Sequence, residues 1–276
     1  MVEIALSLAV IGFALVAIVG ILPIGMGVQK ENRQETVINQ DATVWLDAIR
    51  NGAIGLDDLT NYVINITNSI TEYEVDAKGA REINPPTRAY GYTYQDSWLN
   101  GALTSPQYPI TNGLRIIGLL GTPKYTDRTD LAKPGGPLHY RFTSNHVAAL
   151  VRSMSGPASE KFPQNNASVQ DLAFGYRLVP EVVTNQFDPS WLSGGPPGMS
   201  ASNFVALAQN VQPNLHDLRL LFRWPLLNRG NTGPGHQVFR SVVGGALLVT
   251  NEPGFSGHEY CNLYLFQPRT YVKASP

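Results

Sequence analysis

MVEIALSLAVIGFALVAIVGILPIGMGV, residues 1–28, decides the architecture of this chain. No charged residue occurs from Ile4 to Val28. Wound as a helix, that run spans roughly 37 Å, and about 20 apolar residues suffice to cross a bilayer. A helix in a globular core is rarely apolar on every face for so long. A cleavable secretory signal opens with a basic region and has a shorter apolar core before a small-residue cut site. Here an acid, Glu3, stands where the base belongs. The first cations, Lys30 and Arg33, come after the run and by themselves would draw the C-terminal side of the helix toward the cytoplasm. Either the chain is oriented that way, or a basic leader precedes Met1. Gly20, Pro23, Gly25 and Gly27 crowd the end of the run. Proline removes a backbone donor and clashes with the preceding turn, and glycine adds freedom, so a kink or local unwinding is expected there.

Residues 29–50, QKENRQETVINQDATVWLDAIR, continue the helix with one apolar face. Val37, Asp41, Val44, Trp45, Ala48 and Ile49 recur at three-to-four spacing, with Asp41 the polar interruption; the other face is Gln, Asn, Glu and Arg. Asn51-Gly52 is a stop signal. The chain thus divides into a membrane helix (1–28), its amphipathic continuation (29–50) and a head (51–276).

The head reads as strands and turns. Asp57–Asn68 (DDLTNYVINITN) suggests a short helix. Thereafter the 26 glycines and 20 prolines of the chain mark turns at Asn84-Pro85-Pro86, Asn112-Gly113, Pro134–Pro137, Gly156-Pro157, Gly194–Gly198 and Gly233–Gly235. Strand-type runs lie between them. They are Leu114–Leu120, Ala173–Val183 (with Pro180 marking an edge or bulge), Leu218–Trp224, Val238–Val243 paired with Leu247–Thr250 through Gly244-Gly245, and Tyr260–Phe266. In Leu218–Trp224, alternation puts Leu218, Leu220, Phe222 and Trp224 on one face and Arg219 and Arg223 on the other. Residues around 121–170 and 191–203 read as long loops, and those after Phe266, including Pro268, as a tail. A long helix followed by an antiparallel sheet is an α+β layout.

Composition narrows the function. The charged fraction is 15%, against about a quarter in ordinary globular domains. The net charge of −1 lacks the basic footprint of a nucleic-acid binder. One cysteine, Cys261, excludes an intrachain disulfide and a cysteine-based zinc site, and reads as a small buried strand residue. The five histidines, His139, His146, His216, His236 and His258, show no helical metal spacing; His216-Asp217 and His258-Glu259 read as solvated entries to strands. There is no G-x-S-x-G elbow and no phosphate-binding G-x-x-x-x-G-K-[ST]. Asp57-Asp58, Asp127 and Asp130 make no EF-hand-like ligand run. Asn65-Ile66-Thr67 and Asn166-Ala167-Ser168 match glycosylation acceptors, a signal of little weight by itself. Tyr90, Tyr92 and Tyr94, with Trp98 near, suggest an aromatic strand face on the core. No catalytic, cofactor or metal residues are proposed.

The first segment resembles the N-terminal helix of type IV pilins and type II secretion pseudopilins, whose mature chains open on a pattern like F-T-L-I-E before an apolar helix. Met1-Val2-Glu3 matches its third to fifth residues and Gly12 the glycine common in that helix. Pro23 lies a few residues beyond the family's proline. RIIGLLGTPKY, AFGYRLVPEVV and NLHDLRLLFRWP, more distantly, resemble large prepilin-like proteins of planctomycete and verrucomicrobial bacteria.

The resemblance implies a single-pass inner-membrane subunit with an extracytoplasmic head, assembled through its first helix into a pilus or pseudopilus. It implies other pilin or pseudopilin subunits, the lipid bilayer, an inner-membrane assembly platform and a prepilin peptidase as partners, and a Lys/Arg-rich leader ending in Gly upstream of Met1. It assigns Glu3 to pairing with a neighbouring subunit's N-terminal amine and Gly12 to helix packing, while the kink expected at Gly20 and Pro23 rests on the residues themselves. The alternative is a membrane-anchored extracytoplasmic binding protein or enzyme whose head carries the activity.

Overall fold

Val2–Asn51 form one continuous α-helix, α1, in the computed structural model, about 75 Å long at 1.5 Å per residue. The structure describes residues 2–52, 57–75, 81–83, 88–93, 107–128, 140–155, 174–184, 195–227, 230–251 and 262–273, less the side chains of 18–24 and of some strand residues. The helical backbone passes through Gly20, Pro23, Gly25 and Gly27 without a break, so the local unwinding expected there does not occur. It ends where expected: Gly52 takes φ +70°, the left-handed helix stop that glycine adopts without strain.

Among the described residues, nine strands form one sheet. They are β1 (Val63–Val75), β2 (Arg81–Ile83), β3 (Arg88–Thr93), β4 (Gln107–Pro109), β5 (Tyr125–Arg128), β6 (Tyr140–Arg152), β7 (Gly175–Thr184), β8 (Leu215–Leu226) and β9 (Thr232–Gly244). Their order is β4-β3-β1-β6-β7-β8-β9, with β2 on β1 and β5 on β6. All pairings are antiparallel except β3 with β4. A separate ribbon pairs β10 (Ala246–Asn251) with β11 (Asn262–Gln267). Two short helices complete the head, α2 (Gly113–Leu120) and α3 (Ala201–Val211).

The core lies between one face of this sheet and the second half of α1, with α2 and β11 closing one side. Ile66 and Ile70 of β1, Val147, Ala149 and Val151 of β6, Tyr176, Leu178 and Val182 of β7, and Leu218, Leu220, Phe222 and Trp224 of β8 meet Ile38, Trp45 and Ile49 of α1 in one buried cluster. The alternation expected in β8 is present, Arg219 and Arg223 being exposed between buried neighbours. On α1 the buried stripe is Val37, Ile38, Asp41, Ala42, Trp45, Ala48 and Ile49. Val44, expected on that stripe, is 45% exposed.

Several sequence expectations are corrected. Leu114–Leu120 is helical, because Asn112 acts as an N-cap, its side chain accepting from the Arg115 amide at 2.8 Å. Asp57–Asn68 is a 3-10 turn over Asp57–Asn61 followed by β1. The stretch read as loops around 121–170 contains β5 and the 13-residue β6, which lies between β1 and β7; the loop placed over 191–203 gives way to α3 at Ala201. Gly244-Gly245 does not make a hairpin. Gly245, at φ +116°, passes the chain from the large sheet to the ribbon, and a Cβ there would lie 2.3 Å from the Gln267 carbonyl oxygen. Pro180 marks no edge strand: β7 runs between β6 and β8, and Pro180 pairs with Leu220 of β8 just beyond the last β6–β7 pair, Ala149–Leu178. The expected tail is anchored: Asn214 exchanges two hydrogen bonds with the Val272 backbone, at 2.6 and 2.7 Å.

α2 is held to β11 by close contact. A Cβ on Gly121 would lie 2.3 Å from the Tyr264 carbonyl oxygen and 3.3 Å from that of Ile117. These are backbone atoms and cannot swing away. Gly121→Ala is expected to cost about 1–3 kcal/mol, as overpacking does, and a thermal melt of the full chain in detergent reads it.

Candidate functional site

The first half of α1 has no partner among the described residues. Its large apolar side chains are exposed, Val2 at 79%, Phe13 at 84% and Val16 at 74% among them. All described side chains from Val2 to Ala17, and again from Gly25 to Arg33, face solvent. At Gly12, Gly25 and Gly27 an added Cβ would meet nothing within 4 Å. Side chains of 18–24, Gly20 and Pro23 included, lie outside the described set. Among the described residues no helix is long and apolar enough to cross a membrane; the described side chains of α1 are interrupted within the uncharged run. Contiguous apolar surface on this scale marks an interaction site.

Glu3 occupies the first turn of α1, where a negative charge complements the unpaired amides of the helix start. Its carboxylate makes no hydrogen bond or ion pair among the described residues; the Ser7 hydroxyl donates to the Glu3 backbone carbonyl at 2.8 Å. Neither Gly12 nor Glu3 touches the described residues of the head, so the structure brings the residues assigned to assembly together only by placing them on one rod.

The second half of α1 is fixed to the sheet by a polar clamp. Asp41 is fully buried. One carboxylate oxygen accepts from the Met154 amide and the Tyr176 hydroxyl, each at 3.0 Å. The other accepts from the Ser155 amide at 3.0 Å and from the Ser155 hydroxyl. The Trp45 indole N–H, one turn along α1, donates to the Tyr176 hydroxyl at 2.9 Å. Two residues of the helix thus address the end of β6 and the middle of the apolar face. Burial pushes the Asp41 carboxyl above its ordinary value, with the four donors opposing it. Burial, and then the Asp41 charge, push the Tyr176 phenol well above its own. In the sequence Asp41 was only a polar gap in an apolar stripe; its i, i+4 spacing to Trp45 was the available signal.

The other candidates for chemistry are dispersed. Among the described residues no group of three or more His, Cys, Asp or Glu is placed to hold a metal ion. His216, expected in solvent, is 3% exposed and edge-on to Phe266 at 5.3 Å. Its Nε2 is 3.2 Å from the Pro213 carbonyl, and burial lowers its pKa. Asp57 accepts from the Gly113 amide at 3.0 Å, which ties the 3-10 turn to the start of α2. Asn65, an acceptor by motif, is 3% exposed. Tyr92 is buried against Tyr108, ring centroids 5.4 Å apart, as an aromatic core face requires. Tyr94, Trp98, Asp130, His139, Asn166, His258 and Cys261 lie outside the described residues.

No family model matches the chain, and no match was found among curated proteins or solved structures.

Proposed function

We propose that this chain is a pilin-like structural subunit, held in a membrane by the first half of α1 and assembled through that half into a pilus or pseudopilus. The observation that carries the reading is the division of α1. Its second half is buried and clamped to the head, while its first half leaves apolar side chains uncovered on every side. Such a rod is insoluble alone and requires lipid or other helices as its surroundings. The run Ile4–Val28 has the length for a bilayer, and open space around Gly12 admits close approach of a neighbouring helix, as small residues do.

In this arrangement Glu3 enters the apolar surroundings with no counter-charge among the described residues of its own chain. An acid costs up to about 3 kcal/mol at a helix centre in the bilayer, and less near the interface. A neighbouring subunit's N-terminal amine removes that cost and sets the axial stagger between copies. Glu3→Gln keeps the shape and removes the charge. The expected result in producing cells is normal membrane insertion of the variant with at least a tenfold loss of subunit in sheared filaments. Filament yield equal to wild type would overturn the pairing role.

A further inference from the structure

The face of the sheet turned away from α1 carries its charges in rows. Cross-strand register on β7, β8 and β9 aligns Arg177, Arg223 and His236 in one row, and Glu181, Arg219 and Arg240 in another. Between them runs the apolar row Val179, Leu221 and Val238. The neighbouring cations have carboxylates: Lys124 lies 2.8 Å from Glu181, and Arg219 and Arg240 each lie 2.7 Å from Asp217. Among the described residues Arg177 and Arg223 have none. They stand directly opposite each other, and neither makes an ion pair or hydrogen bond among the described residues.

Two like charges placed directly across a strand pair are destabilising, and here the cost is raised because Arg177 is half-buried. Burial first, and then Arg223, hold the Arg177 guanidinium below its ordinary value. Arginine does not escape by losing its proton, so both charges persist. Guanidinium forks match oxyanions bidentately. A carboxylate would neutralise only one of the two, whereas a phosphate dianion neutralises both and presents oxygens to each fork.

We propose that Arg177 and Arg223 form a binding site for a phosphate dianion on the outer face of the sheet, with the His236 imidazole at its rim. The ligand is inorganic phosphate or a terminal phosphomonoester. The site is on the head and does not depend on how α1 is used, so its test stands apart from that of filament assembly.

The test is thermal unfolding of the full chain in detergent, titrated with sodium phosphate, with glycerol 3-phosphate as the esterified form, and with sodium chloride at matched ionic strength. Wild type is expected to gain on the order of 5 °C, saturably, in phosphate or the monoester beyond chloride; the ligand giving the larger gain identifies the source. Arg223→Gln is expected to reverse sign. It melts at or above wild type in chloride, because the repulsion is relieved, and gains nothing further from phosphate. Arg177→Gln is expected to behave alike and serves if the first variant does not fold. No gain in wild type beyond chloride, or the same gain in wild type and both variants, would overturn the site.

Discussion

Asp41→Ala is expected to destabilise the head by about 3–5 kcal/mol, the range for removing one partner from a buried charged network. In melting temperature that is on the order of 10 °C for a domain of this size. The substitution leaves the Met154 and Ser155 amides, and the Tyr176 hydroxyl, without their acceptor, and an orphaned donor costs about 1–3 kcal/mol where it is buried. An apolar isostere at 41 offers no escape, since two of the four donors are main chain. Asp41→Asn is expected to fall between wild type and Ala. Its carbonyl serves one side of the site while its amide sets donor against donor on the other. Denaturant unfolding followed by tryptophan fluorescence checks the series, Trp45 being in the network. The titration has a definite sign. Folding raises the Asp41 pKa above the ordinary 3.8, so the folded chain holds this proton more tightly than the unfolded one. The Asp41 contribution to stability therefore declines as pH rises from that value through the folded one, then levels off. Asp41→Asn lacks that slope.

Replacing residues 1–28 by an unrelated transmembrane helix of equal length is expected to abolish filaments while leaving the head folded and membrane-bound. The clamp and the buried stripe begin at Val37, and no described side chain before it is buried, so the head loses nothing. What disappears, on the proposed assembly, is the surface offered to neighbouring copies: Glu3 at the tip, the gap at Gly12 and the side chains between. Electron microscopy of sheared material and proteolysis of the membrane fraction read the two halves of the result. A chimera that still functions would move the activity to the head, as in an anchored binding protein or enzyme.

The two-part helix was legible because its signals are long and periodic. A run of 25 uncharged residues from Ile4 to Val28 and a repeat over four turns leave few alternatives. β8 was nearly as plain, since the alternation from Leu218 to Trp224, interrupted only by Leu221, has no helical counterpart. Short apolar runs were not. LRIIGLL fits a buried strand and a buried helix alike, and the decision rested on Asn112, which serves both as a turn residue and as an N-cap. β6 was hidden by Ser144-Asn145-His146 at its middle. Those polar residues are tolerated because the Asn145 side chain is bonded to the Pro123 carbonyl at 3.0 Å, a contact from the preceding segment that local sequence does not announce. The clamp was invisible for the same reason: Asp41 finds its donors at 154, 155 and 176, more than a hundred residues away.

The unbroken backbone of α1 makes azimuth a coded quantity. Each residue turns the helix by about 100° and lifts it 1.5 Å, so the number of residues between Glu3 and Asp41 fixes which way the sheet faces when the rod is seated. A one-residue deletion anywhere in that interval would swing the whole head by more than a quarter circle around the rod, with every bond inside it intact.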